Sequence, residues 1–276
     1  APQITPESTA TKPSDVYKPG TTLDRTLEYG GKSVPIYRDR PLNVFSDVDF
    51  IWTDEENENR RRLEYLGGEF RTRYGIDVSS FQGEIDWDAV ADDNIDFAMV
   101  RVGFRGTGTG SLNTDKYYEQ NIRGAMRAGL ETGVYFFAQA VTVEEAIEEA
   151  DYVISLLDGL DINGPVAYDW EMHDSTYRVY GTSPEMATAC AVAFCERIKD
   201  AGYTPMVYGG TYVTYMKYDQ GALADYLSWY PEYKSEKSEK LCPTLVYHMD
   251  YWQYSSKCSV AGIGGNVDVN LQFIRR

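Results

Sequence analysis

The stretch GVYFFAQAVTVEEAIEEADYVISLLDGLDINGPVAYDWEM (residues 133–172) contains an apolar strand, an amphipathic helix and a second apolar strand in direct succession. Thr142 and Glu145 fit a capping box at the start of the helix. A helix that connects two short buried strands is typical of parallel strands joined by a right-handed crossover. This stretch therefore predicts an α/β protein with a mainly parallel sheet.

The same alternation of strand and helix extends in both directions from this unit. Further strands are predicted at YGIDVSS (74–80), DFAMVRVGF (96–104), TPMVYGG (204–210) and near residues 226–230, 245–254 and 265–273. Further helices are predicted at IDWDAVADD (85–93), TDKYYEQNIRGAMRAGL (114–130), SPEMATACAVAFCERIKDAG (183–202) and, more weakly, near residues 211–225. About eight strands over roughly 200 residues favour a closed barrel. Because clear helices are missing late in the chain, we expect an irregular, TIM-like (β/α) barrel with fewer than eight helices.

A doubly wound open sheet is the competing fold. Such sheets usually carry a glycine-rich turn that binds phosphate after the first strand. The glycine-rich segment here, GTGTG (106–110), has neither the GxGxxG spacing nor a matching helix start. We interpret it as a flexible loop, which leaves the barrel as the preferred fold.

The N-terminal quarter of the chain differs in composition and lacks the regular alternation of strands and helices. Residues 1–22 are rich in Pro, Ser, Thr and Lys, which is typical of a disordered linker or tether. Residues 23–72 are interpreted as an N-terminal extension, with one or two strands in KSVPIYRDRPLNVF (32–45) and a short charged helix in DEENENRRRLEYL (54–66). Residues 73–276 are expected to form the catalytic barrel domain.

Four acidic residues lie inside apolar strand segments: Asp77 in GIDVSS, Asp169 and Glu171 in VAYDWE, and Asp268 in GNVDVN. A carboxylate beside apolar neighbours is costly unless it is paired or hydrogen-bonded. In a strand, Asp169 and Glu171 point to the same face, with Trp170 on the other. Two adjacent carboxyl groups in a cleft are the groups needed to cleave a glycosidic bond. The alternative for Asp77 or Asp268 alone is a structural one, such as binding backbone N–H groups.

Composition excludes several classes of function. A net charge of −17 disfavours nucleic acid as a partner, because phosphate binding needs clustered Lys and Arg. No run of 18 apolar residues is present, so we expect no membrane-spanning segment. The cysteines and the two histidines lack metal-ligand spacing, and we expect neither a metal nor a cofactor. A disulfide between Cys242 and Cys258 is plausible if the protein is secreted.

Seven segments occur in the order found in a known family: GIDVSSFQGEIDWDAV, DFAMVRVGF, GVYFFAQA, VAYDWE, MVYGG, WQYSS and GNVDVNLQF. Over residues 74–273 the chain resembles the glycoside hydrolase family 25 lysozymes. The resemblance implies an N-acetylmuramidase that cleaves the β-1,4 bond between N-acetylmuramic acid and N-acetylglucosamine. It also implies an irregular barrel, peptidoglycan glycan strands as substrate and a secreted, extracellular or cell-wall location. We expect a monomer.

By the same resemblance, Glu171 is the general acid, Asp169 is its partner, and Asp77 and Asp268 complete the acidic pocket. The residues that would line the sugar-binding groove are Tyr135, Phe137 and Tyr208. Two positions depart from the family pattern. The family often has His where this chain has Phe136, and its L-W-x-A-x-Y block is only loosely matched by LSWYPEY (227–233).

Two alternatives to a muramidase remain open at this point. One is a non-catalytic glycan-binding barrel, and the other is a hydrolase of chitin-like polymers. The second half of the reaction is also open. Either an aspartate attacks the sugar or stabilises positive charge on its ring, or the N-acetyl group of the substrate attacks and an aspartate, most plausibly Asp169, orients it.

Overall fold

The computed structural model describes residues 10–53 and 58–276. In its N-terminal part, a one-turn helix is followed by two small antiparallel strand pairs. These elements are α1 (Pro13–Val16), β1 (Leu23–Tyr29), β2 (Lys32–Tyr37), β3 (Phe50–Trp52) and β4 (Leu63–Tyr65). The first pair is β1 with β2, and the second is β3 with β4.

The predicted charged helix over residues 54–66 is wrong in its described part. Residues 58–60 form a single 3-10 turn, and Leu63–Tyr65 is a strand. Leu63 is buried, the next residue is exposed, and Tyr65 is half-buried, so the burial alternates with the period of a strand. Residues 54–57 lie outside the described residues, as does the first part of the predicted linker at residues 1–22.

Eight strands close into a barrel. They are β5 (Phe70–Val78), β6 (Phe97–Arg105), β8 (Glu131–Ala138), β9 (Val166–Trp170), β10 (Pro205–Tyr208), β11 (Leu227–Pro231), β12 (Tyr251–Cys258) and β13 (Val267–Arg275), while the short β7 (Leu112–Thr114) pairs with the outer edge of β6. Neighbouring barrel strands run parallel except around β13, which is antiparallel to both β12 and β5. Residues 259–266, which join β12 to β13, contain no helix, and so short a connection suits antiparallel strands.

Five helices follow α1 within the described residues: α2 (Trp87–Asp92), α3 (Tyr118–Arg127), α4 (Val143–Leu156), α5 (Pro184–Asp200) and α6 (Thr211–Met216). Thr142 caps α4 as predicted, but Glu145 does not complete the capping box. Thr142 Oγ1 accepts from the N–H of Glu145 at 3.2 Å, whereas the Glu145 carboxylate binds the N–H of Val141 at 2.8 Å. None of the described helices has the length and apolar character needed to cross a membrane.

The irregular α/β barrel predicted from the sequence is confirmed. No helix follows β11 or β12, and the N-terminal elements pack against this part of the barrel instead. The Phe45 ring lies 4.4 Å from that of Phe273 in β13, and Phe50 meets Trp252 of β12 edge-on at 5.4 Å. Buried residues of the N-terminal elements and of the barrel belong to one hydrophobic core. Residues of the extension thus cover strands that lack helices of their own.

Candidate active site

The four predicted acidic residues converge on one cavity of about 160 Å³. Asp169 is the last but one residue of β9, Glu171 follows the strand directly, and Asp77 lies near the end of β5. Asp268 is directly opposite Asp77 in the antiparallel pairing of β13 with β5. The full lining is Asp77, Tyr135, Asp169, Glu171, Tyr208, Trp229, Tyr233, Gln253 and Asp268. The cavity therefore lies at the C-terminal ends of the parallel strands, where barrels of this type carry their chemistry.

The alternation of β9 separates the two carboxylates from Trp170, as predicted. Trp170 is fully buried, and its Nε1 donates to the carbonyl of Ala140 at 3.1 Å. Asp169 is only 6% exposed, and its Oδ1 has no hydrogen-bond partner among the described residues. The Glu171 side chain is 24% exposed, so it lies nearer the solvent than Asp169. The buried Gln139 fixes the backbone of Glu171 by donating from Nε2 to its carbonyl at 2.8 Å.

Asp77 differs from Asp169 because two amide groups hold it. Gln253 Nε2 and Asn270 Nδ2 both donate to its Oδ2, at 2.9 Å and 2.8 Å. Asn270 is oriented in turn by Trp229, whose Nε1 donates to its Oδ1 at 2.7 Å. This chain of contacts joins the floor of the cavity across β5, β11, β12 and β13.

Burial and mutual repulsion raise the pKa of all three aspartates. For Asp77, burial raises the pKa well above its usual range, and the charge of Asp268 adds to this against the two amide donors. For Asp169, burial again comes first, followed by the charges of Glu171 and Asp77. Burial and the nearby Glu171 raise the pKa of Asp268 to about 6. Strongly interacting groups titrate as a set, so the cluster keeps protons at pH values where isolated carboxylic acids have lost them.

Comparison with known proteins identifies the family. The family model described as glycosyl hydrolases family 25 matches residues 76–263. The chain belongs to this family. It is 26% identical over 197 residues to the autolytic lysozyme of Clostridium acetobutylicum, a match that covers 71% of this chain and 54% of that protein. It is 27% identical over 201 residues to lysozyme M1 of Streptomyces globisporus, covering 71% and 66%. The chain thus spans about half to two thirds of the length of these relatives.

Solved family 25 structures share the fold. The spore cortex lytic enzyme SleM of Clostridium perfringens matches 73% of this chain and 67% of its own, with a TM-score of 0.62 and 22% identity. A bacterial lysozyme from Streptomyces coelicolor matches 72% of this chain and 90% of its own, with a TM-score of 0.57 and 25% identity. The predicted family and its enzyme class, glycoside hydrolase, are confirmed.

Of the three residues predicted to line the sugar-binding groove, two line the acidic cavity and one does not. Tyr135 and Tyr208 line the acidic cavity. Phe137 does not, but it is half-buried on the same face of β8 as Tyr135 and pairs in register with Asp169. Phe136, which replaces the common family histidine, points away from the cavity and packs edge-on against Tyr152 of α4 with ring centres 6.2 Å apart. The departure at position 136 is therefore part of the packing between strand and helix.

Sequence reasoning missed several residues that complete the cavity or hold its acids, namely Trp229, Tyr233, Gln253, Asn270 and His173. Asn270 follows Asp268 by two positions in one strand, so the period of two was a usable signal. His173 lies in the loop after β9, and its Nε2 is 2.6 Å from Glu171 Oε2. The disulfide between Cys242 and Cys258, which was considered only for a secreted protein, is not formed, and both are free thiols.

Proposed function

We propose that this chain is a peptidoglycan hydrolase that cleaves the β-1,4 bond between N-acetylmuramic acid and N-acetylglucosamine, with Glu171 as the general acid. The observation that carries the proposal is the convergence of four carboxyl groups on one cavity at the catalytic end of a family 25 barrel. Breaking a glycosidic bond requires a carboxylic acid to protonate the leaving oxygen and a second carboxyl group beside it. Asp169 and Glu171 provide such a pair.

Accessibility favours Glu171 over Asp77 and Asp169 as the proton donor. Its side chain is 24% exposed, whereas Asp77 and Asp169 are each 6% exposed. The oxygen between two sugar units of a polymer must reach the donor, and a carboxyl group at the mouth of the cavity is easier to reach than one in its floor.

Asp169 is proposed as the partner in the second half of the reaction. As a nucleophile it would form a covalent bond to the anomeric carbon, which water would then hydrolyse. In the substrate-assisted route it would orient the N-acetyl group, which attacks in its place. A slow fluorinated muramyl substrate separates the two routes. Mass spectrometry would detect a glycosyl adduct on Asp169 in the first route and an unmodified protein in the second.

The aromatic lining of the cavity supports a sugar polymer as the substrate. Tyr135, Tyr208, Trp229 and Tyr233 surround the acids, and aromatic rings of this kind stack on the apolar faces of sugars. We propose glycan strands of peptidoglycan as the substrate, the outside of the cell or the cell wall as the location, and a monomer as the active form. A non-catalytic glycan-binding barrel and a hydrolase of chitin-like polymers are the competing outcomes of the test below.

The test is mass spectrometry of the fragments released from purified peptidoglycan. The wild type should produce new reducing ends on N-acetylmuramic acid. Glu171→Gln should reduce the rate by about 10²- to 10⁴-fold, the usual contribution of a general acid. Glu28→Gln, at an exposed position of β1, is the matched control and should act as the wild type does. Reducing ends on N-acetylglucosamine, faster cleavage of chitin oligomers, or binding without cleavage would each refute the proposal.

A further inference from the structure

One flank of the acidic cavity carries an arginine between two phenylalanine rings. The Arg101 guanidinium lies 5.0 Å from the ring centre of Phe81 and 5.5 Å from that of Phe104. Phe81 follows β5 on the catalytic face and is 85% exposed. A single exposed apolar side chain needs no explanation by itself. The way in which this one is supported, and its position beside the cavity, point to a function.

The turn that carries Phe81 is held by polar contacts on both sides. Ser79 Oγ accepts from the N–H of Phe81 at 3.2 Å, and the N–H of Ser79 donates to Gln82 Oε1 at 2.8 Å. The next N–H, that of Ser80, donates to Asp115 Oδ2 at 3.0 Å. The exposed ring is therefore presented by an ordered turn, and little conformational entropy is lost when a ligand contacts it.

Arg101 connects this turn to the cavity. It pairs in register with Tyr135, a lining residue, and its charge lowers the pKa of Asp169 against the effect of burial. Its Nε donates to Asp115 Oδ2 at 2.9 Å, and its Nη2 lies 2.8 Å from the same oxygen and donates to Ser80 Oγ at 3.2 Å. Within residues 10–53 and 58–276, no residue accepts a hydrogen bond from Nη1. The Nη1 edge of the guanidinium thus remains available to a ligand.

A second exposed ring lies across the cavity. Tyr233 follows β11, is 54% exposed and lines the cavity itself. In the order of the barrel, β5 and β11 are separated by β12 and β13 on one side and by four strands on the other. Phe81 and Tyr233 thus mark opposite flanks of the acidic cavity, which is the arrangement expected of a groove that holds a chain of sugars.

We propose that Phe81 and Arg101 form a subsite for the muramic acid unit, in which Phe81 stacks on the sugar ring and Arg101 binds its lactyl group. This inference rests on the proposed function. The lactyl group ends in a carboxylate or, where a peptide is attached, in an amide carbonyl, and both accept hydrogen bonds from a guanidinium. N-acetylglucosamine lacks this group. An acidic cavity would repel the carboxylate, and Arg101 offsets that repulsion on one flank.

Phe81→Ala tests the stacking without disturbing the core. On peptide-free glycan strands of alternating N-acetylglucosamine and N-acetylmuramic acid, KM should rise about 3- to 10-fold, as expected for loss of one ring contact. Leu66→Ala, which removes an exposed apolar side chain from the extension, is the control and should leave KM unchanged. A wild-type KM in Phe81→Ala would overturn the stacking.

Arg101→Lys tests recognition of the lactyl group. Lysine can still pair with Asp115, but it lacks the second edge of the guanidinium. The kcat/KM for the muramic acid polymer should fall about tenfold relative to that for chitin oligomers, the loss expected for one hydrogen bond to a charged group. An equal fall on both substrates would show a purely structural role and refute the subsite. If the wild type itself releases no muramic acid ends, the proposed function fails instead.

Discussion

Asp115 and Asp169 are buried aspartates at the same end of the barrel, and they differ in their donors. The Asp115 side chain has 0% exposure and is bound by the Arg101 guanidinium and by two backbone N–H groups, those of Ser80 and Tyr117, each at 3.0 Å. Asp169 is nearly as buried, but its Oδ1 has no partner in the described part of the chain, and its pKa is raised well above its usual range.

The comparison shows that burial alone does not distinguish a structural acid from a reactive one. A carboxylate that is bound by an arginine and by backbone N–H groups holds the surrounding loops together. A carboxyl group placed among other carboxyl groups without donors retains a proton and stays open to a substrate. Perturbed groups of the second kind concentrate at functional sites. The donors and the charges around a buried acid are therefore more informative than its depth, since Asp77 has a raised pKa beside Asp268 despite its two amide donors.

The largest predicted effect on stability is that of Asp115→Asn. Removing one partner of a buried ion pair leaves Arg101 without its counter-charge, so the free energy of unfolding should fall by about 3–5 kcal/mol. Urea denaturation measures this. Asp158→Asn, at an exposed position, is the control. A loss as small as that of the control would show that Asp115 does not hold the loop.

Asp169→Asn should reduce activity without reducing stability. Activity should fall by about 10²- to 10⁴-fold, as for other groups that act on the transition state. The free energy of unfolding at pH 7 should be unchanged or higher, because the substitution removes repulsion from Asp77 and Glu171. Kinetics on purified peptidoglycan and urea denaturation of the same preparation check both parts. Destabilisation comparable to that of Asp115→Asn would show that Asp169 also stabilises the fold, which contradicts the difference drawn between the two residues.

Asp268→Asn should change how stability depends on pH. The pKa of Asp268 is raised in the folded state from 3.8 to about 6. The folded protein therefore binds more protons than the unfolded chain between these values, and the stability from this group is lost as pH rises through that window. Relative to the wild type, the variant should gain about 1–3 kcal/mol between pH 4 and pH 7. Thermal unfolding at both pH values tests this, and a constant difference would be inconsistent with the raised pKa.

The smallest predicted effect is that of Ser79→Ala, which removes a cap from the turn that Asp115 also binds. The expected loss is about 1 kcal/mol, typical of a capping hydroxyl. Hydrogen exchange at the amide of Phe81, which donates to Ser79, should become faster. Unchanged exchange would mean that Asp115 holds the turn without help from Ser79.

The regular half of the barrel was predictable because its signals are local. The strands and helices from β5 to β10 show their periods within short windows, and the caps at Thr142 and Ser183 lie where the helices begin. The extension was less predictable. Some of its segments pair with residues about 200 positions away, as Leu42 does with Tyr247 in an isolated bridge, and no local pattern predicts such contacts.

The residues of the candidate site also differ in how well the local sequence predicts them. Asp169 and Glu171 could be paired from strand geometry alone, because they are two positions apart. Asp77 and Asp268 face each other only once β13 closes the barrel against β5. Trp229, Tyr233 and Gln253 reach the cavity through that same closure. Their roles depend on the tertiary structure, and the sequence around each is equally compatible with ordinary packing.

The packing of Phe45 against Phe273 also has a consequence for how the protein is made. The ribosome releases the extension well before β13, so the two rings that pack at 4.4 Å are synthesised at different times. Until β13 has been synthesised, the apolar residues of the extension that pack on it lack their partners. This part of the fold therefore forms only after β13 has left the ribosome, and during that interval these segments are exposed to chaperones and proteases.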